Sequence, residues 1–237
     1  VLFAPSGIPQ GEQLALLVAS GIVGLAIGDT FLFAALPRLG AQLTATIQCL
    51  APALAAIIAW FALGEQLTLF ESSGIVLTSI AVLGAVNDRP AQIQAKIDAH
   101  GVWYAVIAAV CQAIGVVLAR QSMQGVHVLT GTLVRIIPAV LALAATLVIV
   151  RPKRQRLNIP RAHLGMLAIA TIMGTCIGLT LLAAGTKYAK AGVTAAITST
   201  YPVWMIPIAW LVLKELLSTR RIVMTLSAVI GVICLSW

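Results

Sequence analysis

Eight stretches of this chain, approximately 14–36, 41–63, 70–87, 101–119, 128–150, 163–185, 191–213 and 221–237, each run for about 17 to 23 residues with few charges. That is the length a helix needs to cross the hydrocarbon core of a bilayer. The runs are continuously apolar, whereas a membrane barrel strand would alternate over about ten residues, so helices are expected. Composition leaves no soluble alternative. Only 9% of residues are charged, mean hydropathy is +1.04, and a soluble domain has about a quarter of its residues charged. The first run follows a polar lead without a basic start, so it does not read as a signal peptide. The expected class is an all-α polytopic membrane protein with eight transmembrane helices.

The chain repeats itself. "GLTLLAAGTKYAKAGVTAAITSTYPVWMIPIAWLVLKELLS" from Gly178 aligns without a gap under "GDTFLFAALPRLGAQLTATIQCLAPALAAIIAWFALGEQLT" from Gly28, an offset of 150 residues. About fifteen of some forty positions are identical, including the pairs Thr44 and Thr194, Pro52 and Pro202, Trp60 and Trp210, and Glu65 and Glu215. Gly24 and Gly28 match Gly174 and Gly178, and after a three-residue gap "TSIAVLGAV" continues against "TLSAVIGVI". A paired Pro, Trp and Glu at fixed spacing across two helices marks a duplication. Five spans separate each element from its copy, so the second copy crosses the membrane in the opposite sense. Such inverted repeats place a solute site near the midplane between two halves.

A Pro-bearing helix ending in "LGEQLT", followed by the short helix "SGIVLTSIAVLGAV", resembles the EamA-like family of the drug/metabolite transporter superfamily. The second copy, "YPVWMIPIAWLVLKELLS", keeps the proline and glutamate but carries Lys214 in place of Gly64 and Met224 in place of Gly74. The resemblance implies ten helices in two inverted units of five, of which this chain would be a remnant. Residues 1–88 would then form a first repeat of three helices, 89–100 a linker loop, and 101–237 a second repeat of five. Two helices lack counterparts in the first unit and the chain opens on Val1, so two upstream helices are expected to be missing.

The net charge of +8 sits in loops between spans, which points to lipid contact and orientation and away from nucleic acid. Loops near Arg38, Arg89 to Lys96, Arg151 to Arg161 and Lys214 to Arg221 share one face and hold about eleven of the fifteen basic residues. Positive-inside places that face in the cytoplasm; the family's ten-helix pattern places it outside. Each of the four cysteines stands alone in a span, and no His lies at metal spacing, so neither a cofactor nor a metal is expected. GxxxG at Gly24/Gly28 and Gly174/Gly178 suits close helix packing within one protomer, with a homodimer interface as the alternative.

The candidate cavity residues are polar groups inside these spans. Asp29 lies past the middle of the first, where a carboxylate costs about 2.5 to 3.5 kcal/mol on insertion scales. It would bind an amine or couple a proton, or else be a neutral group bonded to a neighbouring helix. Arg135, seven residues into its span, either snorkels to the interface or points inward to a carboxylate of the solute or of Asp29. Thr44 and Gln48 share a helix face, and Thr194, Thr198 and Tyr201 form the matching stripe in the second copy. Gln112 adds a lone amide and Trp204 a candidate aromatic wall. For any one of these residues taken alone, interhelical hydrogen bonding is the simpler reading. Pro52 and Pro202 would kink their helices and free carbonyls beside the stripes. Glu65 and Glu215 end their spans at the interface and are expected to fix the turns that follow.

An intramembrane enzyme would need a catalytic cluster, yet His100, His127 and His163 lie outside spans or at their ends, and no paired carboxylates occur. No pore-lining charge ring suggests a channel, and no nucleotide-binding loop is present. The expectation is a secondary transporter exporting small organic solutes, which the resemblance suggests are amino acids, related metabolites or drugs. It would be multi-pass in a bacterial inner membrane, and its rival is an inactive truncated fragment.

Overall fold

The computed structural model describes residues 9–64, 66, 68–88, 98–123, 125–150, 161–188, 200–214 and 218–234, and among these all regular structure is helical. The first apolar run is one long rod: α1 (Glu12–Ser20), a π-helical segment π1 (Gly21–Ile27) and α2 (Gly28–Leu39). Then come α3 (Ala41–Gln48), α4 (Leu50–Leu63), α5 (Leu69–Val86), α6 (Ala99–Ser122) and α7 (Val128–Val150). A second rod follows, built of α8 (Arg161–Thr171), π2 (Ile172–Gly178) and α9 (Leu179–Tyr188), and then α10 (Tyr201–Leu211) and α11 (Thr219–Cys234). Among the described residues six helices are long and apolar enough to cross a membrane. The runs expected at 191–213 and 221–237 appear as the shorter α10 and α11, with part of each outside the described residues.

The duplication is visible in the backbone. Two π segments occur, at 21–27 and 172–178, in the corresponding stretches of the two copies. Gly64 ends α4 in the left-handed region at φ 67°, and its counterpart Lys214 adopts φ 53°, a conformation that costs a non-glycine residue about 1–2 kcal/mol. Thr68 caps α5 through a reciprocal pair with Glu71, and its counterpart Ser218 accepts the Arg220 N–H at 3.2 Å. Glu65 and Glu215, expected to fix these turns, lie outside the described residues.

The two copies meet head to tail. Asp88, just past α5, pairs with Arg221 at the start of α11 at 3.7 Å. One step further in, Gly84 packs on Met224, and then Thr78 lies against Ala228 and Gly231. The register rises along one helix as it falls along the other, so α5 and its copy α11 run antiparallel. No side chain larger than hydrogen fits at Gly231, where an added Cβ would lie on Thr78 and within 2.9 Å of the Gly74 carbonyl.

Helix α6 passes between α2, α3 and α4 on a stripe of small residues, with Ala105, Ala108, Ala109 and Ala113 fully buried. Small residues let helix backbones approach where lipid tails give no hydrophobic drive for association. Large apolar side chains such as Phe33, Phe61, Trp103 and Trp210 point outward, as a bilayer solvent permits.

Candidate functional site

A single residue, Gly40, turns the chain from α2 into α3, and its φ of 82° favours glycine at that position. The turn sets Leu36 of α2 and Thr44 of α3 on the wall of one cavity of ≈ 270 Å³. Four polar residues reach it: Thr44 and Gln48 from α3, Gln112 from α6 and Tyr201 from α10. Leu32, Leu36 and Met205 supply much of the apolar wall. Its walls therefore come from α2 and α3 of the first copy and from α6 and α10 of the later part of the chain.

The polar groups are not equivalent. Thr44 Oγ1 donates to the Gly40 carbonyl at 2.7 Å, and Tyr201 Oη donates to the Ala45 carbonyl at 3.1 Å. Asp29, half-buried on α2, is not among the described residues that line the cavity. Gln48 is 5% exposed, and neither end of its amide has a partner among the described residues.

Helix α3 stops at Gln48 because Pro52 has no N–H to offer the Gln48 carbonyl. Cys49 turns instead, its N–H reaching the Thr46 carbonyl at 3.1 Å, and α4 begins at Leu50. In the second copy the turn falls at Thr200, and Pro202 lies in the first turn of α10, beside Tyr201. Both prolines thus stand next to the cavity's polar stripe.

Arg135 and Trp204 are not brought to the cavity. The backbone of Arg135 presses against Gly21 of π1, its buried Nε lacks a partner, and it makes no ion pair with Asp29 among the described residues. Trp204 is 69% exposed among the described residues and is not one of those lining the cavity. Four residues after Tyr201, near one full helical turn, Met205 takes that place; position 204 falls on a different edge of the helix. Thr194 and Thr198 lie outside the described residues. Among the described residues no group of His, Cys, Asp and Glu is placed to hold a metal ion.

A second polar cluster escaped the sequence reading. Gln42 and Thr46, on the face of α3 turned from the cavity, bond to Thr225 of α11 at 2.5 and 2.8 Å, all three buried. Their i, i+4 spacing interleaves with that of Thr44 and Gln48, so α3 carries two polar stripes. One faces the cavity and the other fastens the copies together.

GxxxG behaves differently in the two copies. Gly24 meets Gly115 of α6 with 3.1 Å between an added Cβ and the Gly115 Cα, and Gly28 faces Cys111 and Gln112. The motif of the first copy is therefore used within one protomer.

The sequence profile of the EamA-like transporter family matches residues 1–87 and 99–237. No curated protein matches the chain.

Proposed function

The chain belongs to the EamA-like transporter family and is a multi-pass membrane transporter of the drug/metabolite type, and from that premise we propose that it moves small organic solutes by alternating access. Residues 1–88 and 101–237 act as inverted units joined by 89–100, rocking about the solute cavity between them. The observation that carries this reading is the cavity, whose polar residues come from both copies and lie inside otherwise apolar spans. The α5–α11 seam and its Asp88–Arg221 pair form the contact along which the units shift.

Transport is secondary, driven by an ion gradient or by the solute's own, and its direction is export. Asp29 is the proton-coupling group, so Asp29→Asn abolishes pH-gradient-dependent transport in liposomes. For Arg135 both readings stay open, a guanidinium that snorkels to the interface and one that meets a carboxylate of the solute or of Asp29. The proposed setting is the bacterial inner membrane with the basic loops cytoplasmic; the functional partners are the solute and lipid, without nucleic acid. Small glycines of the first copy are occupied within the protomer, which disfavours a homodimer built on them.

Efflux of a labelled panel of amino acids and related metabolites from bacteria expressing the chain, beside a vector control, tests the reading. Faster efflux of one class supports an exporter. A chain that is correctly inserted in the membrane yet moves no solute in either direction would refute it.

A further inference from the structure

Hydrogen-bond polarity in the cavity favours one kind of solute. A hydroxyl carries one donor and two acceptor lone pairs. Thr44 and Tyr201 have both turned their donors into backbone carbonyls, at 2.7 and 3.1 Å. Only their lone pairs remain for a guest. Gln112 adds an amide, with a carbonyl oxygen and an NH₂. The Gln48 amide, buried and unmatched at both ends among the described residues, adds another carbonyl oxygen and an NH₂. Among the described residues acceptors thus outnumber donors in the lining, and no cationic side chain lines it.

We infer that this cavity is a subsite for a protonated primary amine, in which the oxygens of Gln48, Thr44, Gln112 and Tyr201 take the three N–H donors of the ammonium group. The inference rests on reading the cavity as the solute site. A primary ammonium offers three donors and no acceptor, the complement of this wall. A carboxylate offers acceptors only, so it could meet an amide NH₂ but would leave the Thr44 and Tyr201 oxygens facing oxygens. A quaternary ammonium carries the charge without a donor, so the wall distinguishes N–H groups from charge alone. Asp29, on α2 and outside the described lining, adds negative potential when ionised without touching the guest.

The test is binding of radiolabelled 2-phenylethylamine to the purified chain in nanodiscs, with competition by its N,N,N-trimethyl analogue and by 3-phenylpropanoate. Saturable binding is expected, with both competitors at least about tenfold weaker than unlabelled amine, since a hydrogen bond to a charged group is worth about 1.5–3 kcal/mol. Gln48→Met should weaken amine binding at least about tenfold and Thr44→Val about threefold, while Trp204→Phe, outside the described lining, leaves it unchanged. Circular dichroism and thermal unfolding confirm that each variant is folded. Equal competition by the carboxylate or the quaternary salt, absence of saturable binding, or unchanged binding in both folded cavity variants would overturn the inference. Binding as expected without movement of the amine in proteoliposomes would uphold the subsite and sink the transporter reading; transport of a carboxylate solute without amine binding would do the reverse.

Discussion

The two π segments share a backbone form and differ in almost everything around it. In the first copy, π1 is wedged against α6 and α7, with Gly21 on the Arg135 backbone and Gly24 on Gly115. In the second, an added Cβ at Gly174 would meet nothing within 4 Å, and none of the most apolar stretch of Leu164–Leu182 is buried among the described residues. Among the described residues the distortion thus occurs both with and without a packing partner from another helix. Tertiary contact then exploits it in one copy: the widened turn and the absent side chains let α6 come within backbone distance. The cavity depends on that approach, because α6 is what brings Gln112 to face α3.

The largest expected effect separates the two segments directly. Gly24→Leu drives a side chain into Gly115 and should cost about 3 kcal/mol or more, at the upper end of overpacking penalties, whereas Gly174→Leu should fall within about 0.5 kcal/mol of the parent. Reversible unfolding of the purified chain in mild detergent compares them, and equal losses would mean that the second segment is packed after all.

A smaller contrast lies at the α5–α11 seam. Thr78 and Thr225 are counterparts and both fully buried, but Thr78 makes one long bond to Ala228 at 3.4 Å while Thr225 joins Gln42 and Thr46. Thr225→Val should therefore cost about 1–3 kcal/mol by removing a buried hydrogen bond from each of Gln42 and Thr46, and Thr78→Val under about 1 kcal/mol. Next in size is the left-handed pair: Lys214→Gly should stabilise by about 1 kcal/mol, and Gly64→Lys should destabilise by about 1–2 kcal/mol. Both can be followed by the same unfolding transition.

The smallest effect is a pH dependence on the exposed face. Asp98 caps α6 and bonds Arg38 at 2.7 Å, and that guanidinium, followed by the His100 N–H, holds its carboxyl below the ordinary value of 3.8. A carboxyl with a lowered folded-state pKa binds its proton less readily than in the unfolded chain. Its contribution is therefore complete above the unfolded value and is lost as pH falls through the folded one. Asp98→Asn should flatten that part of the acid limb. An unchanged limb in the variant would show that the pair is too solvated to matter.

Much of this architecture is legible in the sequence, because a bilayer makes its demand residue by residue. Apolar runs locate the spans, and the paired Pro, Trp and Glu reveal the duplication before any contact is known. Thr44, Gln48, Gln112 and Tyr201 stand out since polar side chains are rare in such runs. The π segments are not legible, as GIVGLAI and IMGTCIG have the composition of any small-residue helix. Nor is the separation of α3 into two polar stripes, since which stripe meets the cavity depends on the direction from which α11 approaches. Aromatic size does not decide which side chain of α10 lines the cavity: positions 204 and 205 differ by about 100° around the helix, and of the two Met205 is in the described lining.

The central claim is that the cavity between the copies opens to each side in turn. With the four native cysteines replaced, Gln48→Cys can be probed in oriented membranes by a membrane-impermeant maleimide applied to one face or the other. Alternating access predicts labelling from both faces, in proportions that shift when a transported solute is added. Labelling from one face only, unmoved by any solute, or from neither, would contradict it.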